Sequence, residues 1–319
     1  MSRAVETIAL ALPHTGGWDF SDYPYGLEPL TLPQPGEPYA ARGSVEQSDT
    51  QEICRRLQAA AHAGFEIPEP PVGHTMERLF WFRWITGHQV SFIIWRLLAD
   101  ALARLPSASG SERAALSTAI TEFVRGYCGM LLYTGSSDRA VYNGVIRPSM
   151  YRLHSTFSGT WALDYPPVRS LFRGRKTPAV VESEVEALTR EVRLSNQIHF
   201  GVASKLVTGG RSLLQRSITE RDTAQPRMWG EVFDCYFLTQ RGVVSAPEMS
   251  AQLLRRQKAL AIDLRSNGLY PVPADGEIPR ELRRPEVTAC EEDLAASLFR
   301  IARLAVGLPA TDRPRTVAR

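Results

Sequence analysis

The chain has four cysteines among its 319 residues, and Cys54, Cys128, Cys235 and Cys290 lie far apart with no CxxC pair. That spacing argues against a disulfide framework and a structural zinc site; buried, reduced thiols are the expectation. Also lacking is an uncharged apolar run of the roughly 20 residues that a membrane span requires. The most apolar stretch, Leu79 to Leu102, carries Arg83, His88, Arg96 and Asp100, so it reads as a buried core helix. Met1 to Leu12 show no basic region followed by a long apolar run, and a cytoplasmic location is expected. Charge is not concentrated either. Lys and Arg number 37 and Asp and Glu 34, both signs interspersed, for a net +3. Without a Lys/Arg stripe, a nucleic-acid partner is not expected. No GxSxG, Walker loop, HExxH or strand-linked GxGxxG occurs, and no alternating strand series or internal repeat is visible.

What is present is helix. Residues 1–46 are rich in Pro, Gly and aromatics, which fits an extended strap laid over the core or over a partner subunit. From Ser48 the spacing of apolar residues predicts helices over about 48–62, 75–105, 111–133, 138–153 (interrupted near Pro148), 179–207 and 288–306. The stretch 155–176 reads as loop. Ser245-Ala-Pro-Glu is a capping box opening a helix that stops at Asn267-Gly268. Long helices joined by short loops favour one all-α domain over residues 47–319 behind the extended segment.

The histidines carry the functional signal. His88 sits mid-helix on a face shared with Trp81, Ile85, Phe92 and Trp95. His199 shares a face with Val192, Asn196, Ala203 and Leu206, beside the small residues Gly201 and Ser204. An imidazole on such a surface is unfavourable unless it is hydrogen-bonded or ligated. It can be a satisfied core histidine or a working one. Two imidazoles without a carboxylate pair or a third ligand suit heme better than a zinc hydrolase. His154 reads as a loop histidine with a structural hydrogen bond, and His14, His62 and His74 as structural or exposed. The run Phe123-Val-Arg-Gly-Tyr-Cys128-Gly echoes a cytochrome P450 cysteine loop with the wrong spacing, inside a good helix.

The run Phe80-Trp-Phe-Arg-Trp-Ile-Thr-Gly-His88-Gln89-Val-Ser-Phe-Ile-Ile-Trp95 resembles the distal helix of tryptophan 2,3-dioxygenases. Leu194-Ser-Asn-Gln-Ile-His199 followed by Thr208-Gly209-Gly210 resembles that family's proximal helix and substrate loop, with a shorter interval between His and Thr. Met150-Tyr-Arg-Leu-His-Ser-Thr-Phe-Ser158-Gly159 resembles its Arg-then-Ser-Gly segment. With the Trp-Ala-Leu-Asp-Tyr-Pro-Pro tail, the pattern is more similar to the histidine-ligated heme-dependent aromatic oxygenases that hydroxylate L-tyrosine. The resemblance covers roughly residues 75–215.

It implies an all-α helical-bundle domain of the tryptophan 2,3-dioxygenase-like type holding heme b, with hydrogen peroxide as co-substrate. The implied reaction converts L-tyrosine to 3,4-dihydroxyphenylalanine, in bacterial natural-product biosynthesis. His199 would be the axial iron ligand and His88 the distal acid and base. Thr208, Gly209, Gly210 and Ser158 would hold the substrate, with Arg152, or alternatively Arg147, on its carboxylate. Trp81, Phe92 and Trp95 would wall the pocket, and a homo-oligomer, a dimer, is expected. Two alternatives stay open: an oxygen-using dioxygenase of indole rings, and a non-catalytic helical binding protein. Residues 220–319 receive no functional account beyond completing the core.

Overall fold

The computed structural model describes residues 20–21, 23–63, 75–175, 177–207, 226–273 and 278–309. Helix α1 spans Gln47–Ala63, α2 Met76–Arg104 and α3 Gly110–Gly135. Thr75 opens α2, its hydroxyl accepting the Arg78 N–H at 3.2 Å, and the helix stops short of Pro106. After α3, Asp138 caps the short α4 (Arg139–Val141) by accepting the N–H groups of Ala140 and Val141. A π turn, Tyr142–Ile146, then leads into α5 (Arg147–Leu153). The interruption near Pro148 therefore takes the form of a wider turn. Proline offers no N–H to an α-helical bond, and the Arg147 N–H reaches back to the Tyr142 carbonyl instead.

Helix α6 spans Arg169–Phe172 and α7 Glu182–Leu206; α8 covers Pro226–Tyr236 and α9 Ala246–Asn267. The capping box at Ser245 and Glu248 forms as the sequence predicts, and Gly268 ends α9 in the left-handed region at φ 67°. The single helix expected over 288–306 is two, α10 (Pro285–Glu292) and α11 (Leu294–Ala305). They meet at Asp293, whose carboxylate accepts from Arg125 and Arg300. The domain is all-α, and no described helix is long and apolar enough to cross a membrane.

Helix α3 is the centre, with α2 on one side, α7 on another and α11 on a third. The described part of the N-terminal strap lies over the chain's own core. Its residues Leu30–Leu32 (β1) pair in parallel with Thr239–Arg241 (β2), Leu30 opposite Thr239. Phe20, Tyr25, Leu30 and Leu32 are buried beneath it. Two buried arginines fix these layers. Arg83 of α2 donates to both carboxylate oxygens of Asp263 on α9. Arg256 donates to the Gln89 side chain and to the carbonyls of Glu28 and Pro29 in the strap.

Candidate active site

Midway along α2, the Nδ1 of His88 lies 2.6 Å from the Trp84 carbonyl one turn earlier. A carbonyl only accepts, so Nδ1 carries the proton and Nε2 presents a lone pair. The ring is clamped by Phe237, stacked at 4.5 Å, and by Trp84 at 4.3 Å. Gln89 keeps Phe237 there by donating to its carbonyl at 2.9 Å. Burial lowers the His88 pKa to about 4, against a rise from the Trp84 bond and with a further lowering from His199. His88 is therefore neutral at any ordinary pH.

That last influence locates the second histidine, because charge is felt at this strength only between neighbours. His199, near the end of α7, lies close enough to His88 of α2 for its charge to act there. Burial lowers its pKa too, although much of its surface is accessible. Neither ring nitrogen of His199 has a hydrogen bond among the described residues. Gly87, next to His88, and Gly135, packed against Val202 one turn after His199, draw the helices together around α3. A Cβ on Gly87 would meet the Thr134 methyl at 2.5 Å, and one on Gly135 would meet Val202 at 2.5 Å. Any side chain there would push α2 or α7 outward.

The surroundings of His88 are aromatic. Phe92 is 6.3 Å from His88 and 5.8 Å from Trp95, so the three rings run in sequence along α2. Trp81 lies one turn beyond Trp84 and packs edge-on against Tyr236 at 6.0 Å. Several further wall residues were not anticipated. Helix α8 contributes Phe233 and Tyr236, with Phe237 just after it; Phe157 stacks on Phe233 at 5.3 Å. Tyr127 of α3 and Tyr165 of the 155–176 loop contact Trp95 at 5.3 and 5.2 Å. Arg241 anchors that loop, donating to both oxygens of Asp164 and both of Asp234. The signal for α8 was in the sequence: Trp229, Phe233, Tyr236 and Phe237 recur at helical spacing.

The other expected residues divide. Arg147, at the start of α5, is partly buried, and its charge opposes the rise that burial gives the Tyr142 phenol. Tyr142 in turn touches Trp84 at 5.7 Å, so Arg147 belongs to the His88 end of the site. Arg152 is exposed near the end of α5. Ser158 is buried, but its hydroxyl caps the Gly159–Trp161 turn, accepting the Thr160 N–H at 3.2 Å. His154 accepts the Thr156 N–H at 3.1 Å and packs between Trp161 and Trp229, as a loop histidine with a structural hydrogen bond should. Thr208, Gly209 and Gly210, together with His14 and His74, lie outside the described residues. Cys128 is buried within α3, where burial raises its thiol pKa well above the usual value.

As cofactor ligands, His88 of α2 and His199 of α7 offer two neighbouring neutral nitrogen donors. Among the described residues, no three His, Cys, Asp or Glu side chains converge to hold a metal ion unaided. Two imidazoles are the number that a metal already held by a four-nitrogen macrocycle leaves room for, and flat aromatic neighbours suit such a ring. The residues present fit a heme.

No curated protein matches the chain. A protein-family model described as "SfmD 3-methyl-L-tyrosine peroxygenase" matches residues 39–191, a span that holds His88, Trp95, Arg147 and Arg152 and stops short of His199. Over that span the chain is similar to a peroxygenase family named for a tyrosine derivative.

Proposed function

We propose that the protein is a heme-dependent peroxygenase that hydroxylates L-tyrosine, or a close derivative, at ring position 3. The observation that carries this reading is the pair His88 and His199 on α2 and α7, near enough for charge on one to act on the other, with burial favouring the neutral ring of each and aromatic rings packed on His88. The similarity of residues 39–191 to a peroxygenase family favours peroxide over molecular oxygen as the oxidant. One peroxide oxygen would enter a ring C–H bond to give a catechol, and the other would leave as water.

Heme, when bound, would supply the oxidising centre that activates peroxide toward the ring. The protein's own part is divided among the walls. His199 would hold the iron through a ring nitrogen. His88 Nε2 would take a proton from peroxide and return it to the departing oxygen. Its bond to the Trp84 carbonyl keeps that lone pair aimed inward, and its low pKa keeps it unprotonated and ready. Phe92, Phe237 and Trp84 exclude water and press the imidazole into one orientation. Arg147, at the Trp84 end, would pair with the substrate carboxylate, a role that Arg152 would fill only by reaching in from its exposed position. Thr208, Gly209 and Gly210 remain candidates for the amino-acid end.

The deciding experiment is an absorption spectrum of protein purified with heme supply, before and after adding L-tyrosine, followed by product analysis with peroxide. A Soret band that shifts with tyrosine and a catechol product are expected. Colourless protein that gains no band from hemin would sink the heme reading, and a ring-opened indole product would move the chain to the dioxygenases.

A further inference from the structure

Trp95 is 5 % exposed, and its indole N–H is buried with no hydrogen-bond partner. An indole nitrogen can only donate, and an unmade bond of this kind costs about 1–3 kcal/mol. The same helix satisfies every N–H of its buried Arg83 guanidinium. The open donor lies on the face shared with His88, seven residues or about 10 Å along the helix.

Two phenols meet it there. Tyr127 and Tyr165 pack on the Trp95 ring from α3 and from the loop, at 5.3 and 5.2 Å. Neither hydroxyl makes a hydrogen bond among the described residues. The two phenols are close enough that charge on Tyr165 acts on Tyr127. Burial pushes the Tyr127 phenol upward, so it stays an O–H donor, yet part of the residue remains accessible. Phe92 at 5.8 Å from Trp95 and Phe172 at 4.8 Å from Tyr127 complete an apolar surround.

Resting on the function proposed above, we infer that Trp95, Tyr127 and Tyr165 form the pole that reads the ring hydroxyl of the substrate. The pole carries donors and no cation, so it suits the neutral oxygen of a phenol better than a carboxylate. The cation, Arg147, acts on Tyr142, which contacts Trp84, on the other side of His88 from Trp95 along α2. A tyrosine laid along α2 would then direct its carboxylate toward the Arg147 side and its hydroxyl toward Trp95. Its ring would lie between the two, on the face that carries His88. The pole would reject phenylalanine by leaving a buried donor unpaired.

Calorimetric titration of the heme-loaded protein with L-tyrosine and L-phenylalanine tests this without turnover, with Soret absorbance per protein recorded alongside. The wild type is expected to bind tyrosine about tenfold or more tightly than phenylalanine. Trp95→Phe should shrink that ratio to within about threefold of unity while leaving phenylalanine affinity and heme content unchanged. Tyr165→Phe, a ring-preserving change in a loop, should shrink it less and carries the test if Trp95→Phe does not fold. An unchanged ratio in the folded variants overturns the inference alone. Equal weakening of both amino acids with loss of heme also overturns it, and would assign the indole N–H to the cofactor's edge. If neither amino acid binds the wild type, the inference and the function it rests on fall together.

Discussion

On one side of α2, Arg83 places all five guanidinium N–H groups on Asp263, Ser136 and the carbonyls of Gly268 and Leu269. Gln89 likewise uses its whole amide, on Arg256, Glu28 and Phe237. On the other side, the indole N–H groups of Trp84 and Trp95 are buried without a partner, and His88 bonds through Nδ1 to the Trp84 carbonyl. Thr86, with a buried unpartnered hydroxyl, is the exception on the satisfied side. The two sides also differ in burial: Arg83, Thr86 and Gln89 are fully buried, whereas Trp81, Trp84 and His88 are partly accessible. Under the proposed function, the side that holds the fold completes its hydrogen bonds within the chain, and the side that would take the ligand leaves them open.

The largest expected effect breaks the satisfied side. Arg83→Ala strands the fully buried Asp263 and should destabilise the protein by about 3–5 kcal/mol, read by chemical denaturation. His88→Leu, which swaps an open imidazole for an alkyl group, should leave the denaturation midpoint near the wild type or above it. A similar loss from both changes would dissolve the contrast between the two sides.

Next come the histidines themselves. His199→Ala should lose the Soret band or shift it, whereas His88→Ala should keep the band and lose most turnover. Bleaching by His88→Ala would reverse the two roles. Arg147→Ala should weaken tyrosine binding by roughly 10–100-fold, the magnitude of a lost charge-assisted bond, and exposed Arg152→Ala by about twofold at most. The reverse order would return the carboxylate to Arg152.

The smallest effect is in pH. The folded His88 pKa of about 4 lies below the ordinary histidine value, so the fold favours the neutral ring. Its contribution to stability is therefore complete above about 6.5 and is lost as the pH falls toward 4. The acid limb of activity due to His88 should lie near 4, and NMR titration of its ring protons would show the same midpoint. A midpoint near 6.5 would mean that the ring is hydrated.

Much of the helical frame was legible because its signals are local. Thr75, Ser245 with Glu248, and Gly268 mark helix ends by side-chain hydrogen bonds and backbone freedom within a few residues. The spacing of Trp81, His88, Phe92 and Trp95 likewise follows from one turn of helix. Less legible was whatever depends on distant chain. Tyr127 and Tyr165 reach Trp95 from two other segments, and no periodicity links them. Helix α8 was missed although Trp229, Phe233 and Tyr236 repeat correctly, because no N-terminal capping pattern was read ahead of Pro226. Arg147 and Arg152 lie five residues apart, and only folding separates the half-buried one from the exposed one.

The parallel pairing of β1 with β2 has a consequence for synthesis. Thr31 and its partner Gln240 are 209 residues apart, and the strap's carbonyls serve Arg256, further on still. At about 5–20 residues per second, the strap would emerge from the ribosome roughly 10–40 s before the strand and the arginine that receive it. The strap, made before its partners, is thus among the last segments to be seated, and its apolar Phe20, Tyr25, Leu30 and Leu32 stay uncovered meanwhile. An insertion between the strap and β2 would lengthen that interval.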